Sequence, residues 1–224
     1  HDIIVFGGAV IDAFLELDID ETKGQICFPV GAKLLVKDLW FSTGGGGTNT
    51  AVAFSKLGLK TGFIGKVGRD ENAEIILHEL DKNKIEFLGK KGKEPTGFSV
   101  ILDGKQKNRT ILTSKEANEH IQFKDIELKK INSRWLYFSS MNGETLQTQK
   151  KLAAWAGKKK IKIAYNPSYY LCKLGANYLK DLLKYIDVLI LNKEEAEALV
   201  GKEKTFEKLH SLGPKIICIT LGDD

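Results

Sequence analysis

Short apolar runs closed by glycine or polar residues alternate along this chain with stretches whose apolar residues fall at helical spacing. Ile3 to Phe6 is the first run; it ends at Gly7-Gly8 and predicts a buried strand entering a turn. Residues 14–42 differ in texture: "FLELDID", "QICFPV" and "AKLLVKDLWFS" read as short strand-like pieces, separated by "ETKG" and Gly31. A glycine run then leads into a helix from about Thr48 to Leu57, with Gly58 placed as the left-handed residue that ends it. "KTGFIGKVG" predicts a second buried strand. Asp70 stands as N-cap of "ENAEIILHELDKN", whose Ala73, Ile76 and Leu80 share one face. Residues 96–113 predict a hairpin turning at Asp103-Gly104.

From about residue 131 the pattern becomes regular. Strand "RWLYFSS" precedes a helix over 144–156 closing at Gly157. "IKIAY" precedes a helix near 175–185, and "DVLIL" precedes "KEEAEALV", which closes at Gly201. A helix over 203–212 precedes "KIICIT". Alternating βα units of this kind predict an α/β fold: a mostly parallel sheet flanked by helices on both faces.

Composition narrows the class. The chain has 224 residues, 42% of them hydrophobic and 28% charged, enough for one domain with a sizeable core. The net charge of +5 is spread over many lysines. Lys158-Lys159-Lys160 and "GKKGK" at 89–93 read as solvated surface, and no aromatic–basic interleaving points to nucleic acid. No run of about 18 apolar residues predicts a membrane span. Cys27, Cys172 and Cys218 lack metal-ligand spacing and read as reduced thiols of a cytoplasmic protein.

The candidate chemistry sits where open α/β sheets bind ligands, past the carboxyl ends of the strands. Gly7-Gly8 to Asp12, the run "STGGGGTNTA", Met141 to Glu144, Asn166, Asn192 to Glu195, and Thr220 to Gly222 all fall there. The glycine run is not a Walker A loop, since no Lys-Ser or Lys-Thr follows it. The first strand lacks the third glycine of a dinucleotide fingerprint. Bare amides in the run suit hydroxyls or an anion, and Asn49 offers both a donor and an acceptor; a flexible turn with an Asn cap is the alternative.

Gly44 to Ala51, followed by Gly58 and Gly68, resembles the N-terminal signature of the PfkB/ribokinase family of carbohydrate kinases. "VFGGAVID" resembles its first strand and substrate aspartate, and "GKVGRDENA" its VGxDxxG segment, with Ala73 where glycine is usual. "PTGFSVIL" and "NRTIL" resemble its lid strands, "LNKEEAEALVG" its Asn-x-x-Glu motif, and "ICITLG" its nucleotide-side strand. The resemblance implies a single ribokinase-like α/β domain over 1–224 with lid insertions at about 14–42 and 96–113. It implies ATP-dependent phosphorylation of a hydroxyl of a sugar or related polyol. A nucleoside kinase, and a non-catalytic sugar- or nucleotide-binding module, are the alternatives.

The resemblance also implies roles. Asp12 would accept hydrogen bonds from substrate hydroxyls (an Asx turn is the alternative), while Gly45, Gly46 and Asn49 would contact substrate. Ribokinase itself has a lysine where Gly46 stands. Glu144 would be a substrate-side carboxylate or merely a helix N-terminal acid. Arg109 would pair with an anionic substrate or remain solvated. Asn192 and Glu195 would organise Mg²⁺ through water, with a helix cap as the compatible alternative. Thr220, Gly222 and Asn166 would approach ATP. The cofactors implied are ATP and Mg²⁺, with room for a monovalent cation, and the lid edges suggest a homodimer. The family's second signature, a glycine-rich anion hole with an aspartate base, is expected beyond Asp224, and without it the chain alone is expected to be nearly inactive.

Overall fold

A computed structural model describes residues 1–20, 22–105 and 108–222. Glu21, Gln106 and Lys107 of the expected lid insertions, and Asp223 and Asp224, therefore lie outside the described residues. The main sheet begins with β1 (Ile3–Phe6), whose side chains are all buried. Strand alternation sends Ile4 and Phe6 to one core and Val5 to the other. β2 (Val10–Glu16) and β3 (Asp38–Gly44) leave this sheet as an antiparallel pair. α1 (Gly46–Lys56) follows, then β4 (Thr61–Ile64), β5 (Lys66–Val67) and α2 (Glu71–Lys82). Two short strands, β6 (Glu86–Phe87) and β7 (Lys90–Lys91), precede the hairpin of β8 (Gly97–Asp103) and β9 (Arg109–Ser114). The regular half contains β10 (Trp135–Phe138), α3 (Gly143–Lys158), β11 (Lys162–Tyr165), α4 (Ser168–Cys172), α5 (Ala176–Leu183), β12 (Val188–Asn192), α6 (Lys193–Val200), α7 (Thr205–Ser211) and β13 (Ile216–Thr220).

Seven strands form the main sheet in the order β13-β12-β11-β10-β1-β4-β6, every pair parallel. The chain builds outward from β1 to β4 and β6, then returns to build the other way from β10. The order therefore reverses between β1 and β10, which is where ligands bind on such sheets. A second sheet, β3-β2-β8-β9, stands apart from the first. In it β2 pairs parallel with β8, a pairing that the hairpin pattern alone does not predict.

Several local expectations change. "QICFPV" and "AKLLVK" form no strands: Gly24 and Gly31 turn the chain at φ 73° and 78°. Val30 and Leu35 lie exposed with no sheet to cover them. The glycine-run helix begins two residues early, at Gly46. α3 runs on through Gly157, where a Cβ would stand 3.0 Å from the Tyr185 ring; the left-handed turn falls at Lys160 instead, φ 58°. "KTGFIGKVG" breaks at Gly65 into β4 and β5, and the latter pairs with β7. Gly58 and Gly201 end their helices at φ 87° and 83°, as read from the sequence.

Candidate active site

A cavity of about 370 Å³ opens at the reversal point, between the ends of β1 and β10 and the inner face of the second sheet. Its floor is the glycine run packed against Gly7-Gly8. Gly45 adopts φ 97°, and a Cβ there would stand 2.5 Å from the Gly8 carbonyl oxygen. A Cβ on Gly47 would stand 2.6 Å from the Gly7 carbonyl carbon, and one on Gly44 would overlap the Asp12 carboxylate. Three of the four glycines are therefore fixed by close approach of backbone and carboxylate. Gly46 is the exception: its Cβ would meet only the Ser139 side chain, at 3.2 Å, and it is exposed at the cavity.

The amides of the run are partly committed. Gly47 and Thr48 both donate to the Gly8 carbonyl, at 3.0 and 3.3 Å, which locks the β1–β2 loop onto the start of α1. The side chain of Asn118, itself buried, clamps the same loop from the other side. Its Oδ1 accepts from the Ala9 amide and its Nδ2 donates to the Ala9 carbonyl, each at 2.8 Å. Thr145 in turn donates to the Asn118 carbonyl at 2.7 Å, tying this segment to α3.

Asp12 lies within β2, opposite Ser42 and Ser99, and not in an Asx turn. Its carboxylate lines the cavity over the Cα of Gly44. Burial pushes its pKa above the ordinary carboxylate value, and a hydrogen bond with Ser99 pulls it partly back. On the β10 side, Ser139 is held by donation from its amide to Phe6 at 3.0 Å and by Gln149 Nε2 on its carbonyl at 2.8 Å. Its buried hydroxyl finds no hydrogen-bond partner among the described residues.

Of the residues assigned individual roles from the sequence, Asp12, Gly45, Gly46 and Asn166 line this cavity, as does Gly8. The others stand elsewhere. Asn49 is exposed on α1, and its neighbour Thr50 lines the cavity instead. Glu144 is exposed in the first turn of α3, while Ser140, Met141 and Asn142 reach the cavity. Arg109 faces a separate cavity of about 490 Å³ at the far end of the second sheet, 3.6 Å from Asp103. The residues that sequence reading passed over are Ser99, Lys115, Asn118, Ser139 and Tyr170. A serine pair directly after the apolar run of β10 was a readable signal for Ser139; the others arrive through the second sheet and α4.

The remaining candidates continue along the strand ends. Asn166 Nδ2 donates to the Ile190 carbonyl at 2.8 Å, joining β11 to β12. Asn192 pairs in register with Thr220 across β12 and β13. Asn192 and Glu195 cap one another: Glu195 N donates to Asn192 Oδ1 at 2.8 Å, and Asn192 N to Glu195 Oε2 at 2.9 Å. Glu195 is buried, so its second oxygen is the one carboxylate atom this pair could turn to a cation or its water. No cluster of three or more His, Cys, Asp or Glu residues suited to a metal exists among the described residues. Thr220 is exposed at the edge strand β13. Cys172 lies buried nearby, and burial pushes its thiol up to about 12, far from nucleophilic use. No helix is long and apolar enough to cross a membrane among the described residues.

A parallel sheet with a cavity at its reversal point, where Asp12, Ser99 and Ser139 stand among apolar side chains, and a second small sheet above form an α/β arrangement suited to a small ligand. The sequence profile of the pfkB family of carbohydrate kinases matches residues 2–224, and the chain belongs to that family. It is 26% identical over 194 residues to the ATP-dependent 6-phosphofructokinase of Thermoanaerobacterium thermosaccharolyticum, covering 81% of this chain and 60% of that one. It is 28% identical over 204 residues to the ribokinase of Haemophilus influenzae, covering 86% and 65%. The chain thus spans less than two thirds of the length of either relative. The fold matches the solved structure of Arabidopsis thaliana ribokinase complexed with ribose and ATP, with a TM-score of 0.79 at 22% identity, over 98% of this chain and 72% of the other. The main sheet and its flanking helices are accordingly ribokinase-like.

Proposed function

We propose that this chain carries the acceptor half of an ATP-dependent kinase that phosphorylates a hydroxyl of a sugar or related polyol. The observation that carries the reading is the Asp12 carboxylate, half-buried at a cavity floored by Gly45 and Gly46. An ionised carboxylate accepts hydrogen bonds only, so it selects ligands rich in hydroxyl donors. Desolvation makes the bare carboxylate costly, and donated hydroxyls would offset that cost. Gly46 leaves open backbone beside it, and the unpartnered Ser139 hydroxyl adds a further polar contact.

In this reading Asp12 orients the acceptor and does not deprotonate it. The second sheet acts as a lid that excludes water from the cavity. Asn166, Asn192, Thr220 and Gly222 face the nucleotide along the ends of β11 to β13. Mg²⁺, when bound with ATP, would offset charge on the transferred phosphoryl group. The free oxygen of Glu195 would hold one of its waters, in keeping with the sparse carboxylate ligation magnesium accepts. The exposed edges of the lid, at Phe41 and Ile111, would serve a homodimer.

A coupled assay of ADP release by the full-length protein, across neutral sugars, sugar phosphates and nucleosides, tests the reading. Stimulation by a sugar or its ester supports it, and stimulation by nucleosides alone would move the substrate class. Sugar binding without any ADP release would make the protein a binding module.

A further inference from the structure

Lys115 follows β9, where the second sheet rejoins the main body, and it lines the acceptor cavity. Its backbone is fixed: Asn118 Nδ2 donates to its carbonyl at 2.9 Å, and the same Asn118 clamps Ala9. Its Nζ lies 4.3 Å from the centroid of the Tyr170 ring, across the cavity on α4. No carboxylate stands within 4.0 Å of that nitrogen among the described residues. Glu116, next in the chain, is engaged by the Ser114 hydroxyl at 2.5 Å. Glu119 lines the same cavity but makes no ion pair with Lys115.

Other lysines of the second sheet and its surroundings have found counterions. Lys37 pairs with Glu16, Lys66 with Glu94 at 2.9 Å, and Lys105 with Asp18 and Asp20 at 3.3 Å each. Lys115 instead rests on an aromatic face, a weaker hold than a direct carboxylate. An ammonium on an anchored backbone at this cavity, resting on a ring face and with no carboxylate within 4.0 Å among the described residues, is placed to meet an anion. Arg109 does not compete for the role, since it belongs to the other cavity and to Asp103.

We propose that the acceptor is a phosphorylated sugar and that Lys115 binds its phosphate, while Asp12 takes the hydroxyls. This rests on the cavity being the acceptor pocket. The similarity to a 6-phosphofructokinase favours a phosphate ester over another anion.

Equilibrium binding by calorimetry without nucleotide tests it, using fructose against fructose 6-phosphate and ribose against ribose 1-phosphate. At least one ester should bind about tenfold or more tightly than its parent sugar, by the strength of a charge-assisted contact. Lys115→Met should erase that advantage, weakening the ester at least about tenfold more than the parent sugar. Lys115→Arg should restore most of it, and the advantage should shrink as salt rises. Lys115→Gln replaces the methionine variant if the latter melts early. Esters binding no better than parents, or binding Lys115→Met as well as the wild type, would overturn the role of Lys115 and leave the acceptor pocket standing. If no sugar or ester binds the wild type, the pocket reading falls and this inference with it.

Discussion

The two ends of the strand-end row are built differently. At β1 and β10 the chain packs backbone on backbone, Gly47 against Gly7 and Gly45 against Gly8, and clamps the loop with a buried Asn118. The polar atoms left over, from Asp12 and Ser139, line a cavity. At β12 and β13 the polar atoms are satisfied locally or lie open. Asn192 and Glu195 cap each other, and Thr220 sits on an exposed edge. The first region is organised before any ligand arrives. The second offers an ordered row of side chains whose enclosure the described residues do not supply. Preorganisation of the first kind makes a site sensitive to added atoms; a row of the second kind is sensitive to lost charges.

The largest expected effect breaks the close packing. Gly47→Ala puts a methyl 2.6 Å from the Gly7 carbonyl carbon, and neither backbone can move aside. It should cost about 3 kcal/mol, the upper range for overpacking. Urea unfolding reads this directly. Gly46→Ala is the contrast, since its methyl meets a side chain at 3.2 Å. It should lower the urea midpoint far less than Gly47→Ala does and raise the acceptor KM while sparing the ATP KM in the full-length protein. Gly45 is unsuited to that second test, because its positive φ and the Gly8 oxygen would unfold the loop first. Equal stability losses at Gly46 and Gly47 would dissolve the distinction between packed and open glycines.

Asp12 sharpens the comparison from the electrostatic side. Its pKa is raised by burial in the folded chain, so between the ordinary value of 3.8 and the raised one the native state holds more protons than the unfolded state. Stability from this group therefore falls as pH rises through that window, and the deficit is complete above it. Asp12→Asn removes the deficit. The variant should be more stable than wild type at pH 7, with the gap closing towards pH 4 in urea titrations. Its acceptor affinity should drop about 100-fold, as expected for two lost charge-assisted bonds. A destabilised Asp12→Asn protein at pH 7 would show that the carboxylate serves packing and not ligand.

Much of the regular half was legible because its strands and helices carry clean periodicity and glycine stops. Val188–Asn192 and Lys193–Val200 match their sequence reading closely. Residues 25–37 misled because apolar residues alone do not make a strand: Val30 and Leu35 have no neighbour to pack on. At the site, Asp12 and Gly46 were readable from motif spacing. Lys115, Asn118 and Tyr170 were not, because their convergence depends on the parallel β2–β8 pairing and on the five-residue α4. Arg109 shows the converse, a plausible residue type that the hairpin directs to the wrong end of its sheet.

The cap at the start of α6 gives a middle-sized effect that separates structure from charge. Asn192→Ala should cost about 1 kcal/mol through the lost cap. Glu195→Gln keeps a capping-competent side chain and should preserve the urea midpoint. If the free oxygen of Glu195 serves the cation, Glu195→Gln should still weaken Mg²⁺-dependent ATP binding in the full-length protein, measured by calorimetry at several Mg²⁺ concentrations. Unchanged binding would assign the pair to the helix alone.

Arg109 sets the lower limit. Its guanidinium is exposed, and its partner Asp103 lies 3.6 Å away on the neighbouring strand. Asp103 itself is half-buried, but at 3.6 Å from a solvated guanidinium the pair should contribute no more than about 1 kcal/mol. Arg109→Ala should therefore shift the urea midpoint little, and that shift should vanish in high salt. Because it lines a different cavity from Asp12, the substitution should leave the affinity for every sugar and sugar ester unchanged. The comparison with Lys115→Met is then direct: two cations near one sheet, one of them facing the ligand. A loss of ester binding in Arg109→Ala would mean that the second sheet swings the arginine end towards the cavity when ligand binds. The fixed geometry of the β8–β9 hairpin, six register pairs from Phe98↔Ser114 to Asp103↔Arg109, argues against such a movement within the hairpin itself.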